Sequence, residues 1–417
     1  MLKSRCLRLS ALLAAVVMVV SLCASCGEGS SDDGKTKLVI WAQETDDVLF
    51  GAIADYEDEN PDVRIVIETQ GSTSLDMAIQ AETAPDIIWG PSDYVATYGE
   101  KGQVLDLTEF GADEVRDLFT DACWNVANAV PDKIYSLPFD SNIINFVINR
   151  DMFDAAGATV PTTYEEMITA ANKIKAHFTG DGYYAYTAPY GCGETLYKAW
   201  GTFQYYWWLW RMGGDIFNED QTKCIINEQA GVDALQRLTD MIHNGLAPAT
   251  YAGSEFYTGA KIAMIEDTTT GFFNVGVASN TANFEIAMMP VLKEGVDPWT
   301  GMGLYCYSVV STSENPELAY DFVEFLCTGV DYQITYCKPY YFIPSLIEAQ
   351  EDSYFKTSDW KVVLEQAKYA KATPGVDNWI SMDDAIYDAI NQAFTGAKTP
   401  QAALDAVAAQ VDSLLNK

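Results

Sequence analysis

Histidine and arginine are the scarcest polar residues of this 417-residue chain. There are two histidines, His177 and His243, and past residue 25 only five arginines: Arg64, Arg116, Arg150, Arg211 and Arg237. With so few imidazoles, no H-E-x-x-H pair can form, and neither G-x-S-x-G nor a phosphate-cradling Gly-Lys-Ser/Thr occurs. A phosphate clamp has few parts available. The D-x-[DN]-x-[DN]-G pattern of a calcium loop is missing too, and Asp215 to Asp220 only echoes it. After residue 25 no stretch approaches the ~20 apolar residues a spanning helix needs, and past Cys26 no C-x-x-C occurs. Glycoside hydrolysis needs only two carboxylates, so counting acids does not exclude it.

Acid is what the chain has in excess: 59 Asp and Glu against 25 Lys and Arg, a net charge of -34. Such a surface repels nucleic acid and anionic lipid headgroups. Aromatic residues are also abundant, with 10 Trp and 24 Tyr. Length and an apolar fraction of 49% suffice for two compact domains.

The N-terminus carries the clearest local signal. Lys3, Arg5 and Arg8 precede the apolar run Leu9 to Leu22, and Ala24-Ser25 precede Cys26. This is a secretory signal, too short to be an ordinary spanning helix. It resembles a bacterial lipoprotein signal, with Cys23 where Leu is usual, and implies cleavage after residue 25 and lipidation of Cys26. Residues 26–36, polar and flexible, read as a tether. Six cysteines follow (Cys123, Cys192, Cys224, Cys306, Cys327, Cys337). The compartment permits disulfides, but spacing assigns no pairs and several read as buried thiols.

Along the chain, strand-like runs alternate with helical periodicity. KLVIW, VRIVIE and IIW are strands separated by helices over about 47–60 and 72–82. IINFVIN follows, then a helix from Tyr164 capped by Thr163, with Glu166 completing a capping box. Later strands are expected at 261–265, 284–290 and 304–311. Helices are expected at 229–247, 316–327, 382–395 (capped by Ser381) and from Pro400 to the end. This β-α-β rhythm predicts an α/β fold with mixed sheets flanked by helices, whose ligands bind beyond the carboxyl ends of the strands.

The order of these pieces, from KLVIWAQE through APDIIWGPSDYVATYGEKGQVLDLTEF, KIYSLPFDSNIINFVINRDMF and SENPELAYDFVEFL to the C-terminal AINQAFTGAKTPQAALDAV, resembles the bacterial extracellular solute-binding proteins of ABC importers. The likeness is to their carbohydrate-binding group (family 1), the relatives of maltose-binding protein. It implies a two-lobed periplasmic-binding-protein-like fold (type II) with a ligand cleft between the lobes. Lobe 1 would be 37–138 plus 284–342, and lobe 2 would be 139–283 plus 343–417. It implies a lipid-anchored monomer outside the cell that captures a sugar or oligosaccharide by hinge closure and delivers it to permease subunits. It implies no catalysis, cofactor, metal or nucleic-acid partner. A cationic solute such as a polyamine is the alternative ligand, because acids beside tryptophans also suit cations. A secreted glycoside-acting enzyme is a third reading.

A sugar needs flat aromatics for its C–H faces and acids or amides for its hydroxyl edges. The resemblance nominates Trp41 and Glu44 at the first strand end, Trp89 and Asp93 in IIWGPSD, and Asp140 and Asn142 after the first crossing. It also nominates Asp267, Phe272 and Phe273 around Gly271, Trp299 in DPWTGMG with Gly301 and Gly303, and Trp379 before a late helix. Each tryptophan reads equally as core cover, Glu44 as a solvated loop acid, and Asp140 or Asn142 as a partner of hinge backbone. In the most aromatic stretch, Tyr197–Trp210, a face holding Trp200, Gln204, Trp207 or Trp208, and Arg211 reads mainly as core, with Tyr190 and Glu194 weaker candidates before it.

Overall fold

The computed structural model describes residues 34–42, 47–69, 74–130, 132–187, 198–250, 253–376 and 378–415. Glu44, Tyr190, Cys192, Glu194 and the leader with Cys26 lie outside them.

Among the described residues nine strands are connected in the order β2-β1-β3-β7-β4-β5, with β6 and β8 also on β4 and β9 on β7. They are β1 Thr36–Ala42, β2 Val63–Thr69, β3 Ile87–Pro91, β4 Leu137–Asn149, β5 Met264–Thr268, β6 Phe284–Ala287, β7 Thr300–Val309, β8 Ile343–Pro344 and β9 Ala370–Lys371. β1 runs parallel to β2 and β3, while β3 and β4 run antiparallel to β7. The sheet is therefore mixed, as the α/β rhythm predicts.

Two strands organise the molecule. The first half of β4 pairs with β7 and β8, and its second half pairs with β5 and β6. β7 likewise pairs through Tyr305–Val309 with β3 and at Thr300 and Gly301 with β9. One long strand thus belongs to two sheets in succession. Register slips between Pro138 and Asp140, where proline has no N–H to give the ladder. Both faces of IINFVIN are covered, so all of it is buried, Asn145 and Asn149 included. Ile143 and Val147 enter one core while Ile144, Phe146 and Ile148 enter another.

The first core collects Leu38, Ile40, Ile87, Leu137, Leu304 and the helix Pro316–Thr328. The second collects the helices Lys198–Arg211, Gln229–His243, Trp379–Phe394 and Pro400–Leu415, the last through Leu404, Val407 and Val411. Residues 284–292, set in the first lobe by the sequence reading, divide between the cores, with Phe284 and Ile286 packing in the first. β6 pairs with β4 at Phe146–Asn149, and Met289 and Leu292 join the second core. The late helix begins at Trp379 behind Asn378, which has a positive φ of 61°, so Ser381 lies in its first turn and does not cap it. Thr163 caps the helix Tyr164–His177 as expected, and Glu166 accepts from the Thr162 N–H at 2.8 Å. The described cysteines 123, 224, 306, 327 and 337 are buried free thiols, and burial pushes Cys306 up to about 12.

A buried ion pair fixes the aromatic helix Lys198–Arg211 to the sheet. Glu266, at the centre of β5, has no exposed surface, and neither does Arg211. Arg211 Nη2 donates to Glu266 Oε1 at 2.6 Å. Glu266 Oε2 accepts from Trp207 Nε1 at 2.6 Å, Trp208 Nε1 at 3.0 Å and Gln204 Nε2 at 3.1 Å. Gln204, Trp207, Trp208 and Arg211 share a helical face at i, i+3, i+4 and i+7. Four donors use the acceptor capacity of one carboxylate, which is what makes a charge tolerable there.

Removing one partner strands the other charge. Arg211→Met is expected to lower the unfolding free energy by about 3–5 kcal/mol in urea titration, and adding Glu266→Gln to recover most of it. A loss within ~0.5 kcal/mol, the range of ordinary surface substitutions, would show that the pair does not hold the helix.

Candidate functional site

A cavity of about 350 Å³ opens between the two halves. Alternate residues of β4 supply one wall: Asp140, Asn142 and Ile144 all line it, as the period of two along a strand requires. β7 adds Gly301 to Tyr305, and the turn after β3 adds Pro91, Ser92 and Asp93. Opposite stand Phe203, Trp207 and Trp210 from the aromatic helix, with Lys371, Ala372 and Thr373 closing one side.

Asn142, Asp93 and Lys371 are held by their surroundings. Asn142 Nδ2 donates to Thr270 Oγ1 at 2.8 Å, and its Oδ1 accepts from the Thr269 N–H at 3.0 Å. Asp93, in the first turn of the helix Ser92–Glu100, accepts from the Tyr94 N–H at 3.1 Å. Burial raises its carboxyl above the usual range, and backbone N–H bonds oppose the rise. Lys371 Nζ sits 4.4 Å from the centre of the Trp299 ring, 5.9 Å from that of Trp210 and 3.6 Å from Asp215 Oδ2. A Cβ at Gly301 would come within 3.0 Å of the Trp207 ring, so the ring would have to give by a few tenths of an ångström. A Cβ at Gly271 would come within 2.5 Å of the Asp267 carboxylate and would push that side chain aside.

Of the residues nominated from sequence, the structure brings Asp93, Asp140 and Asn142 to the cavity, with Gly301 and Gly303. Glu44 lies outside the described residues, and the others lie away from the cavity. Trp89 is in the first core, stacked on Tyr305 at 4.4 Å between ring centres and 13° between planes, so it backs a lining residue without itself lining the cavity. Trp41 packs among Leu75, Ile88, Val104 and Val310. Phe272 is buried, and Phe273 stacks between Tyr341 at 5.2 Å and Trp360 at 4.9 Å. Both are drawn inward by a π-helix over Phe272–Val277. Asp267 accepts from the Thr268 N–H at 2.7 Å, and Thr268 is the residue of that loop that reaches the cavity. Trp379 packs on Tyr206 and Phe217. Trp299 lines a neighbouring cavity.

Sequence reasoning missed Phe203, Trp210, Tyr305 and Lys371 as cleft residues and left Trp207 mainly to the core. The aromatic density of Tyr197–Trp210 was the available signal.

The lining combines the aromatic rings of Phe203, Trp207, Trp210 and Tyr305 with carboxylate, amide, hydroxyl and ammonium groups. They define a ligand-binding cleft in a two-lobed α/β protein. The family described as bacterial extracellular solute-binding protein matches residues 41–328, and the chain belongs to it. It is similar to the galactooligosaccharide-binding protein of Bacillus subtilis, 26% identical over 92% of each chain. It is also similar to the maltooligosaccharide ABC transporter solute-binding lipoprotein of Streptococcus pneumoniae, 21% identical over 97% of this chain and 96% of that one. In fold it matches the cyclic alpha-maltosyl-1,6-maltose binding protein from Arthrobacter globiformis, with a TM-score of 0.80 and 23% identity over 92% of this chain and 99% of that one. The sugar-binding protein MalE from Xanthomonas citri also gives a TM-score of 0.80, at 16% identity over 91% of this chain and 98% of that one.

Behind the aromatic wall, Tyr206 donates to Asp383 Oδ1 at 2.7 Å. Burial pushes Asp383 up to about 6. The charges of Asp384 and Asp93 add to the rise, and hydrogen bonds from Thr202 and Tyr206 oppose it. The folded protein therefore keeps a proton that the unfolded chain releases near its ordinary value of 3.8. This group's contribution is full below about pH 4 and is lost as pH rises to about 6. Asp383→Asn is expected to gain stability relative to wild type across that window, by on the order of 3 kcal/mol at its upper end. Parallel pH–stability curves from urea titration would contradict the assignment.

Proposed function

We propose that this chain is the extracellular solute-binding component of an ABC importer and captures a sugar or oligosaccharide in the cleft. The observation that carries this is the pairing of walls: Phe203, Trp207, Trp210 and Tyr305 for pyranose faces, and Asp93, Asp140, Asn142, Thr268 and Lys371 for hydroxyls. The names of the B. subtilis and S. pneumoniae relatives, both oligosaccharide binders, support it. Closure of the two halves, bending at β4 and β7 where both strands pass from one sheet to the other, would exclude water from the polar contacts.

A polyamine fits poorly. The cation–π positions on Trp299 and Trp210 are held by the protein's own Lys371, whose charge repels a second cation. We infer binding without turnover, since the relatives named above are binding proteins. We further propose that the chain acts as a monomer and is held at the outer face of the membrane through lipid on Cys26, after cleavage of residues 1–25. The S. pneumoniae relative is named a lipoprotein. Cys26→Ala is expected to release the protein into the medium. Retention in the membrane fraction would exclude that anchor.

A thermal-shift screen against malto- and galacto-oligosaccharides, with spermidine in parallel, tests the ligand class. A sugar present at about 100 times its dissociation constant adds about 2.7 kcal/mol, and spermidine should add nothing. Phe203→Ala should weaken the responding sugar by about 1 kcal/mol, the worth of one stacking partner, with little change in the unliganded melting point. A response to spermidine alone would reverse the reading.

A further inference from the structure

A second cavity lies against the first. Its volume is about 660 Å³, nearly twice that of the cleft, and Trp210 and Lys371 line both. Beyond them it is walled by Trp299, by the turn from Gly213 to Gln221 and by the start of the helix Gln229–His243. The turn is tied down. Asn218 Oδ1 accepts from the N–H groups of Thr222 at 2.9 Å and Lys223 at 2.8 Å, and the Cys224 N–H donates to Asp412 at 2.7 Å. Trp210 Nε1 donates to Asp215 at 3.1 Å, which holds its ring between the two spaces.

We propose that this second cavity receives the distal units of a neutral oligosaccharide whose first units lie in the cleft, so that the preferred cargo has three or more sugar units. The inference rests on the sugar reading above. The cleft alone is near the lower end of the ~300–1,000 Å³ usual for small-ligand sites, so a longer glycan must extend out of it. Past Lys371 it meets the same chemistry again: the Trp299 and Trp210 rings for C–H faces, and the polar edges of Asn218, Gln221 and Glu228 for hydroxyls. Lys371 stands at the junction, steered by Trp299 and Asp215, with an ammonium able to donate to the unit that spans both cavities. Among the described residues Lys371 is the only cation of the lining, which also holds Asp215, Glu219 and Glu228. That balance favours an uncharged chain over a uronate.

Calorimetric titration of the purified protein with linear malto- and galacto-oligosaccharides of two to five units tests this. In the responding series the dissociation constant should fall at least about tenfold, worth about 1.4 kcal/mol, from two units to four. Trp299→Ala removes the stacking wall, and Glu219→Trp, at an exposed rim position, fills the groove without touching the core. Each should bring the two-unit and four-unit affinities within about twofold of one another, well under 1 kcal/mol. Equal wild-type affinities for two and four units, or a gain that survives in both variants, would overturn the second cavity's role and leave the sugar reading standing. No binding by any glycan of either series would overturn both.

Discussion

The carboxylate of Glu266 is the constraint on which the binding cleft depends. A charge with no exposed surface is tolerable only when its lone pairs are filled, and here two indoles, an amide and a guanidinium fill them. Those four donors come from one helical face. The requirement therefore sets the rotation of the helix Lys198–Arg211, and with it the position of Phe203, Trp207 and Trp210 along the cleft. Trp207 serves both sides at once: its N–H is spent on Glu266 and its ring faces Gly301. The aromatic wall is thus preorganised, and a ligand need not pay to order it.

The opposite wall depends on strand parity. Asp140, Asn142 and Ile144 face the cavity because they alternate along β4, while Ile143 and Val147 are committed to a core. The same strand joins both sheets, so the polar wall lies at the passage between the two halves. A bend there moves one half against the other while the hydrogen bonds of Asn142 to Thr269 and Thr270 keep the turn after β5 in register.

Much of the architecture was legible in sequence. The strand–helix rhythm, the Thr163 cap and the stripe Leu404–Val407–Val411 each follow from local periodicity, and the structure bears them out. Site residues were harder for a physical reason. In IIWGP and IINFVIN both faces are buried, so no polar alternation reveals which side looks into a cleft. Trp89 went to the core side for that reason, and its stacking partner Tyr305, 216 positions later, supplies the half-buried ring at the cavity. Phe272 and Phe273 follow a polar turn that reads as a surface loop, but the π-helix turns them into an aromatic stack with Tyr341 and Trp360. The face holding Gln204, Trp207 and Arg211 could be read from spacing. The Glu266 that gives it meaning lies 55 residues beyond Arg211 and is visible only in three dimensions.

The two walls differ in kind, and that difference bears on how a ligand would close the molecule. Asp93 and Asp140 belong to β4 and the helix after β3, whereas the aromatic rings of Phe203, Trp207 and Trp210 belong to the helix packed on the second core. A ligand shifts a conformational equilibrium only by its differential affinity for the two states. A purely apolar ligand gains from the aromatic wall alone, and a purely cationic one from the acids alone, so neither is stabilised much further by bringing the walls together. A pyranose has an apolar face and a hydroxyl edge within one rigid ring. Under the proposed sugar reading it gains both sets of contacts only when the walls meet, so closure and selectivity would arise together.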